Sequence, residues 1–245
     1  MSDFLTFFKG FDKTKLTNPL TIAYFLLAFI EVIAESNNDI ALISMTKPFL
    51  MPILVGIYCC SSKKYNFIFI FSLLSLWIAN VLFISLAVDT VFIGTLFFLV
   101  NRILVFYIVA KISKFPGYLP LIIGCLPFFV AYLVVGNLIC NELESQFTLF
   151  VISGITLILY GGFCLGSYIL KSTKQNNYLL VSTIFITVTQ FIFVLKIYYA
   201  TYHFLRPLGM ILFVIAQYLL YHFILMDERR KRRYKLEKSM KKEIL

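Results

Sequence analysis

Runs of about twenty apolar residues, separated by short polar segments, recur eight times between Asn18 and Met226. A hydrocarbon core about 30 Å thick needs roughly 20 helical residues to cross it, so each run predicts one membrane-spanning helix. The predicted spans are 18–35, 40–60, 66–86, 91–110, 118–138, 146–170, 178–200 and 207–226. Their connections are short, which makes sequence neighbours pack antiparallel. The connections also alternate in charge. Lys9, Lys13 and Lys15 precede the first span, Lys63 and Lys64 follow the second, Lys111 and Lys114 the fourth, and Lys171 and Lys174 the sixth. The segment from Asp227 onward, with Arg229-Arg230-Lys231-Arg232-Arg233 and then Lys235, Lys238, Lys241 and Lys242, is the most basic of all. The intervening loops carry Asn37, Asn38 and Asp39, then Asp89, then Glu142 and Glu144, then His203 and Arg206. The positive-inside rule puts the basic segments, and with them both termini, on the cytoplasmic side. The expected architecture is therefore an all-α, polytopic bundle of eight transmembrane helices at 1–226 with a basic cytoplasmic tail at 227–245.

Composition supports this and removes other classes. With 60% hydrophobic and 14% charged residues, and a mean hydropathy of +0.90, the chain is too apolar for a water-soluble globule. The net charge of +10 sits in the interhelical loops and the tail, so it reads as topology and attraction to anionic lipid headgroups, not as a nucleic-acid surface. Cys59, Cys60, Cys125, Cys140 and Cys164 have no CxxC spacing and no accompanying histidines, so neither a disulfide framework nor a metal site is expected, and no cofactor. The first apolar run has no small-residue cleavage site and is expected to be a retained span rather than a signal peptide.

Ionisable and amide side chains at membrane depth are costly, and each needs a partner, a route to water or a task. Glu31 falls in the outer part of span one, Lys47 somewhat deeper in span two, and Asn80 in the outer third of span three. Asn101 and Arg102 of span four, Thr187, Thr189 and Gln190 of span seven and Gln217 of span eight fall near mid-membrane. Together they predict one polar layer between the midplane and the outer leaflet. In span seven Thr183, Thr187 and Gln190 follow i, i+4, i+7, beside Ser182, Thr189 and Lys196, a stripe that should face the bundle interior. Pro48 and Pro52 free the carbonyls of Ser44 and Pro48 next to Lys47 and should bend span two. These features fit either a polar cavity or a static staple between helices. Gly162 and Gly166, and Ser72, Ser75 and Ala79, are small-residue packing faces, and Trp77 needs no role beyond lipid and helix contact.

The segment Thr46-Lys47-Pro48-Phe49-Leu50-Met51-Pro52, preceded by Glu31, resembles the YhhN-type lysoplasmalogenase family of eight-span membrane proteins. Ser72 to Leu82 sits where that family has a small-residue helix ending in Gly-Asp, Phe98 to Tyr107 where it has a Phe-rich span with a His, and Phe185 to Phe191 where it has Ser-Asp. Ala216-Gln217-Tyr218-Leu219-Leu220 resembles the closing Ala-Gln motif. The resemblance implies an interior cavity for a lysophospholipid or ether lipid, and hydrolysis of a vinyl ether to a fatty aldehyde and a glycerophospho-headgroup. That reaction calls for an acid and a base. Here Gly-Asp reads Ala79-Asn80, the His position reads Asn101 or Arg102, and Ser-Asp reads Val188-Thr189 or Thr189-Gln190, so both motif carboxylates are replaced. The resemblance leaves Glu31 and Asn80 as catalytic candidates. Lys47 and Arg102 would grip phosphate as point charge and fork, and Asn101, Thr189, Gln190 and Gln217 would position water or headgroup. A catalytically inactive lipid binder, a small-solute carrier and a purely structural bundle are the alternatives.

Overall fold

The computed structural model describes residues 13–85, 87–139, 146–198 and 203–243. Lys9, Leu86, Cys140, Glu142, Glu144 and Ala200 lie outside the described residues, as do the side chains of Lys13, Lys15, Lys235, Lys238, Lys241 and Lys242. Eight helices occupy the described residues: α1 (Lys13–Asn37), α2 (Ile40–Ser61), α3 (Phe67–Leu82), α4 (Val88–Ile112), α5 (Tyr118–Ile139), α6 (Phe147–Leu170), α7 (Lys174–Tyr198) and α8 (Leu205–Glu243). Seven are long and apolar enough to cross a membrane. The exception is α3, whose 16 residues span about 24 Å at 1.5 Å per residue. It nonetheless runs from one end of the bundle to the other. Its first residues share a cavity with the last turns of α4, and its last residues share another with the first turns of α4.

The helices pair as four antiparallel hairpins, α1–α2, α3–α4, α5–α6 and α7–α8. Further contacts of α2 with α3, α4 with α6, α6 with α7 and α8 with α1 close seven of them into a ring. Helix α5 stands outside that ring, packed on α6. Its Leu119, Ile122, Leu126, Val130 and Leu133 form an exposed apolar stripe at helical spacing. An apolar exterior of this kind suits lipid, not water. The buried polar residues, among them Glu31, Asn101, Arg102, Thr183 and Gln217, point inward.

Three local devices set the geometry. Asn38 adopts a left-handed conformation, φ 53°, and ends α1, while the Asp39 carboxylate accepts from the Leu42 N–H at 3.1 Å and caps α2. This tight turn faces Glu35 toward Lys47. In α2, the Pro48 carbonyl freed by Pro52 accepts from the Trp77 indole N–H at 2.7 Å, so Trp77 has a structural task that its isolation in the sequence concealed. Between α5 and α6, a Cβ on Gly166 would lie 2.9 Å from the Pro120 carbonyl oxygen, and one on Gly162 would run into Cys125. The small-residue face is thus a contact surface, here for α5.

The basic segment is helical through Glu243, continuing α8 without a break, and the 39 residues of that helix reach about 58 Å, roughly twice the hydrocarbon thickness. Glu228 fastens it to the end of α2, accepting from the Tyr58 hydroxyl at 2.5 Å and the Ser62 hydroxyl at 2.6 Å.

Candidate functional site

A half-open cavity of about 260 Å³ lies inside the ring at the end opposite the basic loops. Its mouth carries charge. Lys47, Lys196 and Arg206 line it together with Glu35. Lys47 Nζ is 2.7 Å from Glu35 Oε1, and Arg206 Nε is 3.7 Å from Glu35 Oε2. Arg206 also donates to the Asn38 side-chain oxygen at 2.6 Å, which ties the start of α8 to the α1–α2 turn. Lys196, near the end of α7, lies within electrostatic reach of all three charged neighbours. Three cations thus stand against two carboxylates, Glu35 in the wall and Glu31 behind Lys47, a surplus of one positive charge.

The rest of the lining is largely apolar, with Phe83 and Phe150 near the helix ends and Phe98, Phe193, Met210 and Phe213 further along their helices. Phe98 is ten residues into α4 and Phe213 eight into α8, so the floor lies about 12–15 Å below the helix starts. Three amide residues interrupt this lining, Asn80, Gln146 and Gln190. The Gln190 Oε1 is buried without a hydrogen-bond partner. Thr189 also lines the wall, but its hydroxyl is committed to the Phe185 carbonyl at 2.9 Å.

The sequence-predicted candidates separate into two tiers instead of one layer. Lys47, Asn80, Thr189 and Gln190 share the cavity. Glu31, Asn101, Arg102 and Gln217 do not line it. Glu31 is fully buried behind Lys47, receiving a hydrogen bond from the Thr46 hydroxyl and standing 4.0 Å from Lys47 Nζ. Asn101 clamps two helices, donating to the Ser72 carbonyl at 2.8 Å. Arg102 is 5% exposed, its Nη1 and Nη2 have no hydrogen-bond partner, and its guanidinium lies 5.1 Å from the Phe98 ring centre. Its electrostatic neighbour is Tyr160 of α6, which in turn faces Thr183 and Cys164. Gln217 is buried with an unpaired Oε1, next to Ala216, whose carbonyl accepts from Ser182 at 2.7 Å. The polar stripe of α7 does face inward, and its halves serve the two tiers separately.

No family model, curated protein or solved structure matches the chain. The fold and the side chains must therefore speak for the site by themselves. They add three wall residues that sequence reasoning did not single out as binding groups: Glu35, Lys196 and Arg206. A signal existed for Glu35, because Glu31 and Glu35 are four apart and share a helix face. Lys196 and Arg206 looked like boundary charges. Only the α7–α8 pairing brings them to the same mouth.

Proposed function

We propose that this membrane-spanning bundle binds a single-chain phospholipid, as a YhhN-like protein, with the phosphate at the charged mouth and the chain in the apolar floor. The observation that carries this reading is the polarity gradient of one cavity. Lys196 and Arg206 lie near the end of α7 and the start of α8, Lys47 stands seven residues into α2, and Phe98 and Phe213 line the same cavity deeper along α4 and α8. Arg offers a planar fork and Lys a point charge to a phosphate, and both gain strength away from bulk water. The volume of about 260 Å³ is just below the roughly 300–1,000 Å³ usual for small-molecule sites.

Binding without vinyl ether cleavage is the function this geometry supports best. Protonating an enol ether carbon requires an acid at the ether, and activating water requires a base. Among the described residues the wall holds one carboxylate, Glu35, which Lys47 and Arg206 already engage. Amides such as Asn80 and Gln190 orient water or a headgroup but do not supply that proton. The test titrates purified protein in detergent with a lysophosphatidylcholine and a lysoplasmenylcholine, then assays for aldehyde. Both lipids should bind, Lys196→Ala with Arg206→Ala should weaken both at least tenfold, and no aldehyde should form. Aldehyde release that vanishes with Glu31→Gln or Glu35→Gln would replace the binder with an enzyme. Absent binding would leave a structural bundle.

A further inference from the structure

We infer a second lipid site at the cytoplasmic end, a groove for the headgroup of an anionic glycerophospholipid, built by the helical extension of α8. The groove has a volume of about 920 Å³ and lies between the α2–α3 connection, the last turn of α4 and the part of α8 that leaves the membrane. Lys63, Lys64, Lys111, Arg230, Lys231 and Arg232 line it, against Asp227 and Glu228. The two carboxylates are already used within the protein. Asp227 pairs with Arg230 at 2.8 Å and Lys231 at 2.7 Å, and Glu228 accepts the Tyr58 and Ser62 hydroxyls. Among the described residues, Lys63, Lys64, Lys111 and Arg232 enter no ion pair, and all four face the groove.

A diffuse basic tail would attract anionic lipid without a defined place for it. Three features give this surface a place. Helix α8 is continuous through the basic run, so its charges have fixed positions along one rod. Glu228 locks that rod to the end of α2. Phe67, Ile108, Ile112 and Ile224 form an apolar side of the same groove, which suits the glycerol and upper acyl region below a phosphate. Charge and apolar surface at a bilayer boundary are the combination that an anionic headgroup matches and a free anion does not. The site is independent of the cavity at the opposite end, whose lining residues it does not share.

The experiment uses the full chain in phosphatidylcholine nanodiscs, titrated with phosphatidic acid. Three variants are compared: wild type, Lys64→Ala/Lys111→Ala, and Lys171→Ala/Lys174→Ala. Both double variants remove two exposed lysines and the same charge from the basic face, so folding is not at risk in either, but Lys171 and Lys174 lie outside the groove. The groove variant should lose about tenfold or more in affinity and the control less than twofold. Equal losses in the two variants would overturn the groove in favour of diffuse attraction. Glycerol 3-phosphate or inorganic phosphate binding as tightly as phosphatidic acid would overturn the lipid assignment.

Discussion

Replacing Lys47 by Met tests the electrostatic frame of the cavity most sharply. The ammonium stands 2.7 Å from Glu35 Oε1 and 4.0 Å from Glu31 Oε1, and both carboxylates are buried. At an effective dielectric of 20 these separations correspond to gross attractions of about 6 and about 4 kcal/mol. Desolvation of the three groups offsets much of that, so the gross figure is not the net one. What decides the outcome is the orphaned state. Methionine fills the same volume but leaves Glu31 with only the Thr46 hydroxyl and Glu35 with Arg206 and, at longer range, Lys196. Breaking a buried pair by removing one partner costs about 3–5 kcal/mol. Lys47→Met should therefore lower unfolding stability by that amount, and Glu31→Gln/Glu35→Gln/Lys47→Met, which removes both buried carboxylates but leaves Arg206 and Lys196 without Glu35, should recover part of it. Equilibrium unfolding in mixed micelles, followed by the fluorescence of the single Trp77, reads the change at a helix contacting α2. A loss below about 1 kcal/mol for Lys47→Met, or a triple variant no more stable than the single one, would refute the reasoning.

Three other outcomes follow from individual contacts. Trp77→Phe leaves the Pro48 carbonyl without its donor and should cost about 1–3 kcal/mol, measured by circular dichroism on thermal unfolding. Gly162→Val drives a side chain into Cys125 and the α5 backbone, and overpacking of this kind should cost about 1–3 kcal/mol or more, seen as a lower melting temperature with α5 becoming protease-sensitive. Arg102→Met removes a buried guanidinium whose Nη1 and Nη2 lack hydrogen-bond partners and should stabilise the bundle by about 1–4 kcal/mol while leaving lysophospholipid affinity unchanged, since Arg102 does not line the cavity. A destabilised Arg102→Met with weakened binding would bring Arg102 back as a phosphate ligand.

The vertical dimension of this protein was legible in its sequence, and the azimuthal one only in part. Apolar run length located the helices to within a few residues for most spans, because the bilayer fixes the length of a crossing helix. Boundaries failed where that logic weakens. The third span is shorter than its apolar run, and α8 passes through the hydrocarbon boundary at Met226 because its charged residues are good helix formers with no breaker among them. Depth could be counted along each helix, which is why Arg102 and Gln217 looked like neighbours of Lys47. Which way each side chain turns depends on the pairing of helices distant in sequence, and that separates Asn101, Arg102 and Gln217 from the cavity. The same pairing assembles Glu35, Lys196 and Arg206 from three helices into one mouth. Trp77 was unreadable for a related reason, since its partner is a backbone carbonyl exposed by a proline on another helix.

Photo-crosslinking tests the central claim most directly. A lysophosphatidylcholine with a diazirine midway along its chain, irradiated with the intact protein in nanodiscs and mapped by peptide sequencing, should label the floor of the cavity around Phe98, Phe193 and Phe213. Competition with unlabelled lysophosphatidylcholine should abolish that labelling, and Lys196→Ala/Arg206→Ala should reduce it. Labelling confined to the outward stripe of α5, at residues such as Leu126 and Val130, and indifferent to competitor, would contradict the account and leave a bundle that only rests in lipid.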